Sequence, residues 1–336
     1  MFQLDSQTMD LINKTCNGKK HIKLTVGFFK EGNTAIRVFG EHGETAAESH
    51  TYEIGSITKT FTASLLSNYI FENKMQLNDS IQKYIVGLNA NNYYPTLRRI
   101  ATHTAGYSLI YPFSQREYLN LTIDMILGKN QGVNPLRMDL DKMKMLIHKS
   151  RLSDTDYKWK YSNFGYSLLG YATGVVSGRG YWDTMNDFLS DELGLSHTYL
   201  GTNHNKNLFG FGTKNQKLGN WHWDKHNLIA PAGAISSTAE DLLAYAKLNM
   251  YEEKPYFMLC HQKHGRGPQN YEMGLAWWLR QENNNIMEHG GGTGCFSSYL
   301  AIDKGKKAAS VVLANYRLGI NSDKKIALSI LEGLQK

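Results

Sequence analysis

Three short segments of this chain hold side chains that could move protons and attack a carbonyl group. The first is Ser56-Ile57-Thr58-Lys59. A serine hydroxyl is a weak nucleophile until a base takes its proton, and a lysine one helical turn away becomes that base once burial strips its ammonium of water. The same S-x-x-K pattern occurs from Ser80 to Lys83 and from Ser322 to Lys325. Context separates the three. Ser80 follows the polar pair Asn78-Asp79 and Ser322 opens a charged segment, so both read as helix caps on a wetted surface. Ser56 follows Tyr52-Glu53-Ile54-Gly55 and precedes Ile57, Phe61, Leu65, Leu66, Tyr69 and Ile70. Their spacing predicts an amphipathic helix over 57–73, with Ser56 at the N-terminus where free N–H groups can receive an oxyanion.

The second segment is Tyr161-Ser162-Asn163. Tyr118 and Asn120 match the same Y-x-N spacing, but they lie in a helix-like run where an aromatic side chain is ordinary core material. Tyr161 instead ends a polar and aromatic loop just before a helical run. A tyrosine serves as a base only if a nearby cation, here Lys59, depresses its pKa from about 10. Asn163 supplies a donor and an acceptor for a substrate amide.

The third runs from His289 to Gly294, with glycine at 290, 291, 292 and 294. No Lys-Ser/Thr pair and no helix follow, so this is not a phosphate loop. Glycine permits close backbone approach, so an extended substrate can lie along the strand edge at Gly291 and Gly292, with His289 at the cleft mouth. A turn that merely contains a histidine is the competing reading.

These segments need a frame. Residues 22–29 and 34–39 are β-rich runs around a hairpin turn at Lys30 to Asn33. From about 80 to 190 the pattern is mostly helical, and a helix over about 238–250 follows a capping box from Ser237 to Glu240. Residues 271–280, 284–289, 297–302 and 308–315 read as four strands, and 323–335 as a closing helix. Strands at both ends with helices between imply an α/β (α+β) fold. Its antiparallel sheet is built from N- and C-terminal strands and flanked by helices, with an inserted, mainly helical lobe. The expected division is one catalytic domain over 1–336, with a sheet lobe of 1–55 plus 228–336 and a helical lobe of 56–227.

Taken in order, Ser-x-x-Lys, Tyr-x-Asn and His-x-Gly resemble the motifs of the serine beta-lactamase and penicillin-binding protein superfamily, in particular its class C branch with D-peptidase and esterase relatives. The segments YEIGSITKTFTASLL, NKMQLNDSIQKYI, LRRIATHTAG, WKYSNFGYSLLG, PAGAISSTAEDLLAYA and HGGGTGCFSSYLAID carry the likeness over most of residues 25 to 316. The resemblance implies that Ser56 is the nucleophile and that Lys59 and Tyr161 form the base system. It further implies that Asn163, His289, Gly291 and Gly292 bind substrate and that the N–H groups of Ser56 and Gly292 form an oxyanion hole. Where the beta-lactamases carry Lys-Thr-Gly, this chain has His289-Gly290-Gly291, as peptidase- and esterase-like relatives do. A lysine suits a substrate carboxylate, whereas a histidine is charged only below about pH 6.5. Peptides with D-residues and small esters are therefore the expected substrates, with weak beta-lactam hydrolysis beside them. A module that is acylated by penicillins but turns over slowly is the alternative.

Composition narrows the rest. With 37 Lys+Arg against 30 Asp+Glu the charge is +7, but the basic residues are scattered, which argues against nucleic-acid binding. Cys16, Cys260 and Cys295 are odd in number and far apart, so they read as free thiols. His222 and His226 have i, i+4 spacing but no H-E-x-x-H glutamate, so neither metal nor cofactor is expected. Trp221 and Trp223 read as a loop over the cleft or as lobe packing. No apolar run is long enough to span a bilayer, and no leader precedes the chain as written. That places it in the cytoplasm, or in the periplasm or outside the cell if a leader has been removed. The expected partner is a small-molecule or peptide substrate, and the sequence leaves the oligomeric state open.

Overall fold

Glu31 and Gly32 both adopt positive φ, 47° and 90°, the backbone geometry that lets a two-residue turn match the twist of a hairpin. They join β1 (Leu24–Lys30) to β2 (Asn33–Gly40), paired antiparallel with Gly27 opposite Ile36. The computed structural model describes residues 3–108, 123, 134–201 and 208–334; Tyr118 and Asn120 lie outside them. The other strands are β3 (Gly43–Thr45), β4 (Tyr52–Glu53), β5 (Tyr199–Leu200), β6 (Ile235–Ser237), β7 (Gly265–Arg266), β8 (Tyr271–Met273), β9 (Trp278–Arg280), β10 (Ile286–Gly292), β11 (Ser297–Asp303) and β12 (Ala308–Ala314). Among the described residues the main sheet has nine strands in the order β3-β2-β1-β12-β11-β10-β9-β8-β7, all paired antiparallel. A small sheet, β4-β6-β5, lies beside it.

Every residue of β11 and β12 is buried, because helices cover both faces of the sheet. On one face, α1 (Ser6–Cys16) and the closing helix α9 (Ser322–Gly333) pack Ile12, Ile326 and Ile330 against Leu24, Val26, Phe28 and Val312. On the other lie α7 (Ala239–Tyr251) and the helical half of the molecule. There the principal helices are α2 (Thr58–Phe71), α3 (Leu97–Ala101), α4 (Leu140–Ser150), α5 (Asn163–Ser177), α6 (Tyr181–Asp187) and α8 (Tyr256–His261). The expected fold class holds: a mixed α/β molecule with a large antiparallel sheet from both chain ends, flanked by helices.

Several local expectations change. Residues 55–57 form a 3-10 turn, and α2 begins only at Thr58. Nor is α2 amphipathic over its first turns, for Thr58 through Ser67 are all buried. Thr60, Thr62 and Ser64 hide their hydroxyls by donating to carbonyls three or four residues back, so polar letters here do not mark a wet face. The 271–280 run is two strands, broken where Gly274 packs on Cys260 O, which a Cβ would approach to 2.3 Å, and where Ala276 turns left-handed at φ 68°. The cap of α7 is Thr238, whose hydroxyl accepts from Asp241 N at 3.2 Å, and Ser237 ends β6 instead.

Candidate active site

The turn that carries Ser56 exists because three features hold it. Ile54 N donates to Ile235 O at 3.0 Å, and Ser298 Oγ donates to Ile54 O at 2.8 Å, tying the turn to β6 and β11. Gly55 adopts φ 49°, and a Cβ there would lie 2.5 Å from Gly292 N. A Cβ on Gly291 would lie 2.0 Å from Ile54 O and 3.0 Å from Ser56 N. Glycines on both sides therefore let β10 press directly on the turn, and the backbone segments bearing the Ser56 and Gly292 N–H groups lie in contact.

Lys59 follows one turn on and has no solvent exposure. Its Nζ lies 3.1 Å from Ser56 Oγ and donates to Ala232 O at 2.7 Å. Burial pushes its pKa well below the ordinary lysine value, since no carboxylate compensates the desolvated ammonium. The amine can thus be neutral and accept from the Ser56 hydroxyl. Ser56 itself is only half-buried and opens into a cavity of about 580 Å³ that Trp159, Tyr161, Trp278 and Gly290 to Gly292 also line.

Tyr161 ends the loop before α5, and Lys59 Nζ stands 4.7 Å from its ring centre. The ring is half-buried, but its hydroxyl is shut off from solvent and closes no hydrogen bond of ordinary geometry, although Ser56 is near enough to favour its anion slightly. The expected depression of the Tyr161 pKa does not occur. Burial raises it, only partly offset by the nearby Ser56 hydroxyl. Of the two, Lys59 is the side chain whose surroundings disfavour holding a proton and Tyr161 the one whose surroundings favour keeping it.

His289 does not sit at the cleft mouth. It is fully buried on β10, stacked on Trp278 with ring centres 5.1 Å apart, and its Nδ1 is 2.7 Å from Gly290 O. Desolvation and the nearby Lys59, only partly offset by Gly290 O, drive its pKa down to about 3. It therefore stays neutral at the pH values where a free imidazole would titrate. Beyond Glu288, β10 pairs only with β11, and Gly290 to Gly292 line the cavity, which leaves an edge that an extended substrate could use. Asn163 heads α5, partly exposed, and its side chain is not part of the cavity lining.

The structure thus joins Ser56, Lys59, Tyr161, His289, Gly291 and Gly292, and sets Asn163 to one side. Ser80 caps a 3-10 turn through Gln82 N, as read from the sequence, while Ser322 is the first residue of α9. His222 and His226 lie in irregular chain, so their spacing does not align them on a helix face. Trp223 is buried in the core and Trp221 packs at Gly294, its N–H donating to the buried Glu53 at 2.7 Å. The tryptophans that line the cleft are Trp159 and Trp278 instead. All three cysteines are free and buried. Two features had little sequence signal: the Ala232 carbonyl that receives Lys59, which is backbone, and Arg317, which lines the cavity from beyond β12. No helix among the described residues is long and apolar enough to cross a membrane.

This arrangement has many structural relatives. A solved beta-lactamase/D-alanine carboxypeptidase from Pseudomonas syringae superposes with a TM-score of 0.78 at 18% identity, covering 98% of both chains. The octameric penicillin-binding protein homologue from Pyrococcus abyssi gives 0.77 at 19%, covering 98% of this chain and 77% of that one. A class C beta-lactamase gives 0.75 at 21%, covering 97% and 96%. By sequence, a beta-lactamase of Providencia stuartii is 26% identical over 265 residues and protein flp of Staphylococcus aureus (strain MRSA252) 23% over 287, with 75% and 80% of this chain aligned. The chain spans 62% and 54% of the length of those two relatives. At such identities the shared fold is the firm result, but a sequence model matches residues 22–335, and on that match the chain belongs to the Beta-lactamase family.

Proposed function

We propose that this chain is a serine hydrolase that cleaves amide or ester bonds through an acyl-enzyme on Ser56. The observation that carries the reading is the 3.1 Å approach of Ser56 Oγ to Lys59, buried and with its pKa lowered by that burial, at the wall of an open cavity. In this reading Lys59 Nζ takes the Ser56 proton as Oγ bonds to the substrate carbonyl carbon. The N–H groups of Ser56 and Gly292 hold the oxygen that gains charge. The Tyr161 hydroxyl then gives its proton to the departing nitrogen or oxygen and recovers one from Lys59. Water attacks the acyl-serine with the same groups running in reverse.

Peptides with D-residues and small esters are the substrates proposed. The Pseudomonas syringae neighbour, titled a beta-lactamase/D-alanine carboxypeptidase, supports amide hydrolysis on this scaffold. Against efficient beta-lactamase action stands His289, since a neutral imidazole offers no charge to a carboxylate. Asn163 is proposed to meet the substrate amide on binding. A purified-protein screen of D-peptides, short-chain esters and a chromogenic cephalosporin separates these classes and shows whether the acyl-enzyme turns over or persists. Exposure to a fluorophosphonate, followed by peptide mapping, is expected to place the adduct on Ser56. An adduct on Ser80 or Ser322 with Ser56 unmodified would sink the assignment.

A further inference from the structure

Tyr161 stands in a loop, yet the proposed chemistry needs its hydroxyl held to a fraction of an ångström beside Ser56. What holds it is a single residue from another part of the chain. The loop from Tyr157 to Ser162 lies against the segment that follows α3. Tyr157 N donates to Thr104 O at 2.9 Å, and Lys160 N donates to His103 O at 2.9 Å. Ser162 N donates to the imidazole Nδ1 of His103 at 3.1 Å. The residues immediately before and after Tyr161 are thus both bonded to His103, one through its carbonyl and one through its ring. The ring is 1% exposed and lies on the Tyr161 ring, with centres 4.6 Å apart and planes inclined at 35°. Ser162 completes the clamp: its Oγ donates to Ser108 O at 2.9 Å and accepts from Gly165 N at 2.9 Å, capping α5.

Two features of His103 are unfavourable unless it has a task beyond packing. Its backbone is left-handed, φ 60°, at a helix end where glycine or asparagine is the low-strain choice. Its Nδ1 accepts a hydrogen bond, so the neutral ring carries its proton on Nε2, which is buried without a partner. An apolar side chain would fill the same space without the orphaned Nε2–H, but it would leave the buried Ser162 N–H without its acceptor. A protonated ring would set an N–H against the Ser162 N–H and break the clamp. Burial, Lys59 and His289 all oppose that proton.

We propose that His103 is the positioning residue of Tyr161, holding the backbone on both sides of it through one carbonyl and one imidazole nitrogen and so fixing the phenol hydroxyl beside Ser56. This rests on the reading of Tyr161 as a proton-transfer group. The role needs an acceptor at the Nδ1 position and tolerance of left-handed backbone. His103→Asn keeps both, because its amide oxygen falls near Nδ1. His103→Gly keeps the backbone and removes the acceptor. His103→Gln fills the site but carries its amide out to the Nε2 position.

The test measures kcat, KM and thermal unfolding of the full chain with a chromogenic short-chain ester, for these three variants and for Tyr161→Phe. The expected result is a loss of about 10²-fold in kcat for His103→Gly and His103→Gln, with KM within a few-fold of the parent. His103→Asn should stay within several-fold of the parent kcat. Should His103→Gly not fold, the contrast of asparagine with glutamine decides alone. If the glycine and glutamine variants match the parent while Tyr161→Phe is inactive, His103 positions nothing and the catalytic reading stands. If asparagine is as poor as glutamine, the Nδ1 bond is not the operative contact and the proposal fails. Should Tyr161→Phe itself match the parent, the reading of Tyr161 falls and this proposal with it.

Discussion

Lys59 suits the proposed role of base because burial disfavours its proton. It has no carboxylate partner, its carbonyl contact suits amine and ammonium alike, and burial penalises the charge. The sign of the pH dependence follows. A lowered pKa means the reactive amine is present well below the ordinary lysine range, and activity is lost as pH falls through that lowered value. A profile of kcat/KM against pH is expected to show its acid limb far below about 10.4, the ordinary lysine value. Lys59→Ala should abolish that limb along with about 10²–10⁴-fold of the rate. In the proposed relay Tyr161 passes a proton that Lys59 must return, so their losses are expected not to add: Lys59→Ala with Tyr161→Phe should be little worse than the poorer single variant. Additive losses in that cycle would mean two independent groups. His289 shows the same rule with a different outcome, for burial beside Lys59 removes the titration that a histidine in a glycine loop suggests.

At the level of elements, the 55–57 turn and β10 form one unit that only glycine allows. Gly55→Ala combines a left-handed backbone with a Cβ 2.5 Å from Gly292 N, so it is expected to destabilise the protein by about 1–3 kcal/mol. It should also slow acylation by prising the two N–H groups apart, read by the rate of fluorophosphonate labelling against a thermal melt. A variant with normal labelling and normal melting would show that the contact is loose. How far such units are legible in sequence varies with their physics. The hairpin at Glu31 and Gly32, the strands at 297–302 and 308–315 and the serine at a helix start follow from local pattern, because period and turn chemistry are local. That Ser56, Lys59 and Tyr161 come together was anticipated from their context, since S-x-x-K spacing recurs at Ser80 and Ser322 and does not choose by itself. The protonation states of Lys59, Tyr161 and His289 were not, because burial is set by distant chain. Nor was the burial of α2 over its first turns, where Thr60, Thr62 and Ser64 donate to carbonyls three or four residues back. Nor was the place of Trp278 in the cleft, because the break at Gly274 that precedes its strand comes from packing on Cys260 in another element.

Across the whole molecule, the sheet and the closing helix are fastened behind the site by a buried charge. Glu288 has no exposure and pairs with Arg280 of β9 at 2.9 Å and Lys324 of α9 at 2.9 Å, with Tyr271 of β8 also bonded to it. Burial alone would raise its carboxyl, but the Tyr271 hydroxyl, Lys324 and Arg280 together outweigh it and hold the pKa below the usual value. The stability this supplies is complete above the unfolded-state value of about 4.3 and is lost as pH falls through the lower folded value. Glu288→Gln is expected to cost roughly 2–4 kcal/mol at neutral pH, with the gap to the parent closing in acid. Urea titrations at both pH values check it, and a gap that does not narrow in acid would assign the cost to packing. The sheet also has a consequence in time. β1 lies between β2 and β12, with Leu24 opposite Ala314, so the first long strand to leave the ribosome waits for one of the last before it has both neighbours. The turn bearing Ser56 waits in the same way for Gly291 and Gly292. A nascent chain therefore carries Ser56 long before Gly291 and Gly292, so the proposed oxyanion cradle cannot assemble until β10 has been made, all at once rather than by gradual growth.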